Sequence, residues 1–211
     1  MLTIYSVPIS LYCAKLRIVL RHKKLEWNEQ LPPGGYGSDE YKTLVASGNL
    51  PALVDGNLVV ADSEAIAEYL EEKYPVPAML PGEPRHRAKA RELSRFHDTR
   101  LEPEVRKLFG NLSPDKRNPQ LNSAQAIQIN TRLLQLSELL EDLPPELLLG
   151  HCGYPITFAW LDLLIPLLPL EIMWSKRILN WRKNIDSFPA VSAELFDYCP
   201  KIEDWLVALG D

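Results

Sequence analysis

The chain has 211 residues, 23 basic and 28 acidic, for a net charge of −5, and hydrophobic residues make up 46% of it. This composition is that of an ordinary globular protein large enough to hold a core without disulfide or metal staples. It lacks the basic excess that nucleic-acid binding normally needs, and no apolar run reaches the ~18 residues that span a bilayer. The longest candidate, Leu161 to Ile172, is broken by Pro166 and Pro169 and carries Asp162 and Glu171. The start, Met1-Leu2-Thr3-Ile4-Tyr5, has no basic stretch followed by an apolar one, so no signal peptide is expected. Three widely spaced cysteines, Cys13, Cys152 and Cys199, argue against a disulfide framework or zinc site and point to a reducing, cytoplasmic setting.

Leu2 to Ser6 alternates as a strand does, and Tyr12 to His22 carries Tyr12, Leu16, Val19 and Leu20 at helical spacing. Leu25 to Leu31 reads as a second strand, Pro32 to Gly37 as loop, and Tyr41 to Val45 as a short helix. Ala52-Leu53-Val54 and Leu58-Val59-Val60 flank Asp55-Gly56-Asn57, a strong hairpin signal. Ser63 to Tyr74 is a helix with Ile66, Tyr69, Leu70 and Tyr74 on one face. The order is therefore β-α-β-α-β-β-α. Four prolines between Pro75 and Pro84 mark a linker, because proline continues neither a helix nor a sheet ladder. This divides the chain into 1–76, a linker at 77–84, and 85–211. Beyond it the spacing predicts helices only, over Arg85–Gly110, Gln125–Leu143, Thr157–Leu168, Lys176–Ile185, Ala190–Tyr198 and Pro200–Leu209.

Ser10 stands where the first strand hands over to the first helix. The first N–H groups of a helix have no internal partner and carry partial positive charge, so an anion is stabilised there and a hydroxyl can donate to it. A thiolate held at that point would have a lowered pKa. Serine is also a preferred N-cap, and position alone favours that simpler role. Cys13, three residues on, falls on the buried stripe and reads as a packed, inert thiol. Leu50-Pro51 enters a strand from a loop, where a cis bond can occur, although spacing alone favours trans. Asp62-Ser63 opens a helix, with Ser63 as the natural cap. The same groups can hold a ligand carboxylate, and Asp62 a ligand ammonium. The four histidines, His22, His86, His97 and His151, have no metal-ligand spacing, and adjacent His97 and Asp98 are not expected to face each other on a helix. No metal is expected.

Three motifs in order carry a resemblance: Ser10 with Lys15-Leu16-Arg17-Ile18-Val19-Leu20, then Asn49-Leu50-Pro51-Ala52-Leu53-Val54-Asp55-Gly56, then Asp62-Ser63-Glu64-Ala65-Ile66-Ala67-Glu68-Tyr69-Leu70. The chain resembles the cytosolic glutathione S-transferases of serine type, zeta- or tau-like. The resemblance implies a thioredoxin-like α/β N-terminal domain followed by an all-α C-terminal domain, in a cytoplasmic homodimer that uses glutathione as co-substrate. It implies Ser10 as the catalytic hydroxyl, Pro51 as a cis-proline, and glutathione contacts from Asn49, Leu50, Asp62 and Ser63. A second, small and largely apolar electrophile would lie between the halves, beside Tyr12, Phe96, Arg100 and Phe109, the last three from the first helix of the second half. The family's helix-capping motif falls at Thr157-Phe158-Ala159-Trp160 without its carboxylate, and Asp162 has no evident role. Ser10-Leu11-Tyr12 departs from the Ser-Ser-Cys of maleylacetoacetate-isomerising members. Two other readings stand beside the transferase: a glutathione-binding interaction module with little catalysis, and a glutathione-dependent isomerase or peroxidase.

Overall fold

The computed structural model describes residues 1–141 and 143–210, so the end of the expected Gln125–Leu143 helix and the last residue of the 85–211 segment touch positions outside the described residues. The first part runs β1 (Leu2–Tyr5), α1 (Leu11–His22), β2 (Trp27–Gln30), α2 (Asp39–Lys42), β3 (Ala52–Asp55), β4 (Leu58–Ala61) and α3 (Ser63–Lys73). The sheet order is β2-β1-β3-β4, with β1 parallel to β2 and antiparallel to β3, and β3 antiparallel to β4. A parallel pair needs a crossover, and α1 supplies it. The hairpin turns on Gly56, whose φ of +61° lies in the left-handed region open to glycine. The helix expected at Tyr41–Val45 starts two residues earlier, because Ser38 caps it by accepting from the Tyr41 N–H.

The second part is all helical among the described residues: α4 (Pro84–Phe96), α5 (Glu102–Arg106), α6 (Pro119–Leu139), α7 (Tyr154–Leu167), α8 (Lys176–Asp186) and α9 (Pro189–Gly210), with short 3₁₀ turns between. The expected Arg85–Gly110 helix is interrupted. Pro103 has no N–H to give the Thr99 carbonyl, and His97–Leu101 form a π turn in which the Glu102 N–H reaches the His97 carbonyl. Conversely, the two helices expected on either side of Cys199 are one. Pro200 lies inside α9, and the carbonyl it leaves without a donor belongs to Phe196, which is 82% exposed and open to water. α6 begins six residues before its apolar stripe, because Asn118 caps it through the Gln120 and Leu121 N–H groups and Pro119 suits a first helical turn. α7 also starts early, at Tyr154, so Thr157 is internal and is no cap.

One apolar core runs without a break from β1, α1 and α3 into α4, α6, α7 and α9. The two parts are also joined by polar contacts that start mostly on α1. Arg17 Nε donates to Glu194 at 2.7 Å, and Arg21 pairs with Glu194 and Asp197. Lys15 donates to Glu64 at 2.7 Å and to Asp98 at 2.8 Å. Asp162, without a role in the sequence, takes both arms of the Arg182 guanidinium on α8.

Candidate active site at the seam of the two parts

A cleft of about 900 Å³ opens between the first part and the helices. Ser10, Asn49, Leu50, Asp62 and Ser63 line one side; Arg95, Asp98, Thr99, Arg106, Phe109, Trp160 and Trp205 line the other, with Tyr12 and Tyr36 also in its wall.

Ser10 is the N-cap of α1, and its Oγ accepts from the Cys13 N–H at 3.3 Å. Its carbonyl takes the Ala14 N–H, and the Leu11 and Tyr12 N–H groups precede the first intrahelical donor. Capping uses a lone pair of the hydroxyl and leaves its proton free to donate into the cleft. The two roles weighed for Ser10 are thus compatible. Cys13 is fully buried, and burial pushes its thiol pKa up, which keeps it protonated and unreactive.

At the other N-terminus the assignment from sequence is corrected. The cap of α3 is Asp62, not Ser63: Asp62 Oδ1 accepts from Glu64 N–H at 2.9 Å and Ala65 N–H at 3.1 Å. Asp62 holds φ at +82°, a conformation that costs a residue bearing a Cβ about 1–3 kcal/mol. Ser63, pushed one place into the helix, keeps its N–H in the unpaired first turn, and its hydroxyl has no protein partner among the described residues. Those two donors on the cleft wall suit a carboxylate. Asp62 Oδ2, left over from capping, suits a cation.

Leu50-Pro51 is cis, where spacing had favoured trans and the resemblance implied cis. Leu50 lies outside the β3 ladder with no backbone hydrogen bond among the described residues. Asn49 is exposed, its carbonyl held by the Tyr41 hydroxyl at 3.0 Å. Pro51 is buried behind Leu50 and does not line the cleft.

On the helical side Phe96 and Arg100 do not line the cleft; Arg95, Asp98 and Thr99, spaced i, i+3 and i+4 on one face, do. The π turn overturns the expectation for His97 and Asp98. Its wider winding brings neighbouring side chains together, and His97 Nδ1 lies 2.7 Å from Asp98 Oδ1. His97 Nε2 is 2.7 Å from Thr157 Oγ1, which gives Thr157 a task in place of capping. Burial pushes the Asp98 carboxyl up, but the His97 hydrogen bond and the Lys15 charge outweigh it and bring its pKa down to about 2. Tyr12 is half-buried, with its hydroxyl donating to Glu102 Oε2 at 2.9 Å; burial and then the Glu102 and Asp98 charges push its pKa up, so it stays neutral. Phe109 stacks at 4.6 Å on Trp160, whose Nε1 donates to the Tyr198 hydroxyl at 2.8 Å. That hydroxyl in turn donates to the Ile9 carbonyl at 2.8 Å, tying the aromatic wall to the loop that carries Ser10.

Trp160, Trp205, Arg106 and Asp98 escaped the sequence reading. Two sit in helices recognised only by their apolar stripes, and the others lie on the stretch from α4 to α5, whose stripe does not say which polar side chains meet the cleft. Among the described residues no cluster of His, Cys, Asp or Glu has the make-up of a metal site.

Residues 4–84 match the family model for the glutathione S-transferase N-terminal domain. The first part of the chain is a glutathione S-transferase N-terminal domain. Over the whole chain the fold is shared with a delta-class glutathione transferase of Nilaparvata lugens, at a TM-score of 0.83 and 18% identity, covering 99% of this chain and 100% of that one. The fold is therefore a thioredoxin-like domain followed by a helical domain, as in the glutathione transferases. Glutathione S-transferase Z1 of Arabidopsis thaliana is 40% identical over 91 residues, 41% of either chain. A stringent starvation protein A homolog of Pasteurella multocida is 36% identical over 92 residues, 44% of this chain and 43% of that one. Each alignment thus spans less than half of either protein.

Proposed function

We propose that the protein is a glutathione transferase that binds glutathione along its N-terminal domain and ionises the thiol at the start of α1. The observation that carries this reading is the convergence on one cleft of three separate sequence motifs: the Ser10 hydroxyl, the unladdered backbone of Leu50, and the Asp62-Ser63 helix start. Together they complement a short peptide with a carboxylate and an ammonium at one end, an extended backbone in the middle, and a sulfur near Ser10. Ser63 takes the γ-glutamyl carboxylate, Asp62 the ammonium, and Leu50 pairs with the cysteinyl unit as an added strand would. Asn49 lies at the same wall. The aromatic end of the cleft then receives a small, largely apolar electrophile. The same proposal makes the protein a homodimer.

A hydrogen bond from Ser10 to the sulfur anion contributes about 1.5–3 kcal/mol, or about one to two pKa units on the thiol. That turns a minor thiolate fraction at pH 7 into a major one. The test is Ser10→Ala, read by the thiolate absorbance of bound glutathione across pH. Glutathione still binds and its thiol pKa rises by about one to two units; an unchanged pKa and unchanged turnover remove Ser10 from the mechanism. Binding without turnover on any electrophile would favour a glutathione-binding interaction module instead.

A further inference from the structure

The helical wall of the cleft is aromatic and, for hydrogen bonding, already spent. Trp160 gives its N–H to Tyr198, and Tyr12 gives its O–H to Glu102. The polar groups on that wall are Arg95, Asp98, Thr99 and Arg106, and of these it is Arg106 that stands among the aromatic rings. Its guanidinium lies 5.6 Å from the Tyr12 ring centroid and 5.9 Å from that of Phe109, so two rings flank it. It is ion-paired through Nη2 to Glu102, but the two partners are unequally exposed: the Arg106 side chain is 50% exposed and that of Glu102 5%. The carboxylate faces protein, where it accepts from Tyr12 and pairs with Arg106. The cation faces the cleft, with N–H groups beyond those the pair consumes. Trp160 and Trp205 continue the same wall beyond Phe109, 5.8 Å apart edge to face.

We infer that Arg106 sets specificity for flat aromatic electrophiles bearing a carboxylate, whose ring lies against Phe109, Trp160 and Trp205 while the carboxylate docks on the guanidinium. This rests on the glutathione-transferase reading for its chemistry but not for its binding. In the reaction, the glutathione thiolate sulfur forms a bond to the ring carbon that carries a halide. The electron pair passes into the nitro-substituted ring and leaves with the halide ion, while the thiol proton has gone to water.

The first arm needs no glutathione. Tryptophan quenching and calorimetry compare 3,5-dinitrobenzoate with neutral 1,3-dinitrobenzene on the full chain. A fixed guanidinium–carboxylate contact gives the anion at least about tenfold tighter binding, and the advantage shrinks as salt is raised. Arg106→Gln abolishes the preference and Arg106→Lys restores part of it, a bidentate fork being replaced by a point charge. The second arm measures kcat/KM with glutathione for 4-chloro-3,5-dinitrobenzoate against 1-chloro-2,6-dinitrobenzene, with the same order expected. Equal binding of anion and neutral probe by the unaltered protein overturns the inference, whatever the variants do. An anion preference in the first arm with no turnover in the second leaves Arg106 its role and sinks the transferase reading alone.

Discussion

Lys15 is a lysine with 2% of its side chain exposed, and removing its charge tests the electrostatics of the seam. Its ammonium bonds Glu64 Oε2 at 2.7 Å and Asp98 Oδ2 at 2.8 Å, which bounds the separation of those oxygens at about 5.5 Å. In Lys15→Met the two carboxylates face each other across that gap. At an effective dielectric of about 20 their repulsion is about 3 kcal/mol. The depression of the Asp98 carboxyl to about 2, against an ordinary carboxyl near 3.9, corresponds to about 2.6 kcal/mol, which the His97 hydrogen bond and the Lys15 charge share. Breaking a buried pair from one side costs about 3–5 kcal/mol in general, so the two routes agree. For a chain of this size that is a fall in Tm of about 6–20 °C. The sign with pH follows from the depressed carboxyl: its contribution is present above about pH 4 and is lost as pH falls towards 2. The gap between Lys15→Met and the unaltered protein is therefore largest at neutral pH and narrows in acid. Thermal melts at pH 7 and pH 3.5, with Lys15→Met/Glu64→Gln as a partial rescue, give the answer. A loss below about 1 kcal/mol at pH 7, or one that does not narrow in acid, refutes the reasoning.

Asp62 separates capping from backbone strain. Asp62→Ala loses two cap bonds while keeping a Cβ at φ +82°, and falls by about 1–2 kcal/mol in urea unfolding, whereas Asp62→Gly relaxes the backbone and loses less. Gly153→Ala places a Cβ 2.3 Å from His97 Cε1; displacing the ring costs about 1–3 kcal/mol and removes the imidazole from Asp98 and Thr157, visible in the His97 ring nitrogen NMR shifts. Tyr198→Phe strands the Trp160 N–H and the Ile9 carbonyl together, an expected loss of about 2–4 kcal/mol with a change in tryptophan emission.

The α/β order, the hairpin at Gly56 and the two helix starts were legible in the sequence because each has a local cause: alternation, a glycine turn, or a capping side chain next to an apolar stripe. Ser10 and Asp62-Ser63 were legible for the same reason. What failed were features set by long-range contacts. Phe96 and Arg100 were placed beside the cleft because they lie on the first helix of the second half, whereas the face that meets the cleft carries Arg95, Asp98 and Thr99. Pro200 was read as a helix break, yet the break costs little where the orphaned carbonyl meets water. Ser63 looked the better cap by residue type, and Asp62 won because two N–H groups fall within reach of one carboxylate oxygen. Trp160 and Trp205 become cleft residues only through how α7 and α9 meet the first domain.

The helix that presents Ser10 is held chiefly from outside its own domain. Arg17 and Arg21 are gripped by Glu194 and Asp197 of α9, Tyr12 by Glu102 of α5, and Lys15 by Asp98 beside α4, while Tyr198 of α9 takes the Ile9 carbonyl just ahead of Ser10. A helix N-terminus stabilises an anion only within its first turn, so a shift of about 1 Å at that point would cost much of the effect. Two of these contacts, at Tyr12 and Ile9, involve residues that also line the cleft. On the proposed function, filling the aromatic end with a flat ligand braces the same groups that locate Ser10, which couples occupancy there to the geometry of the proposed thiolate site.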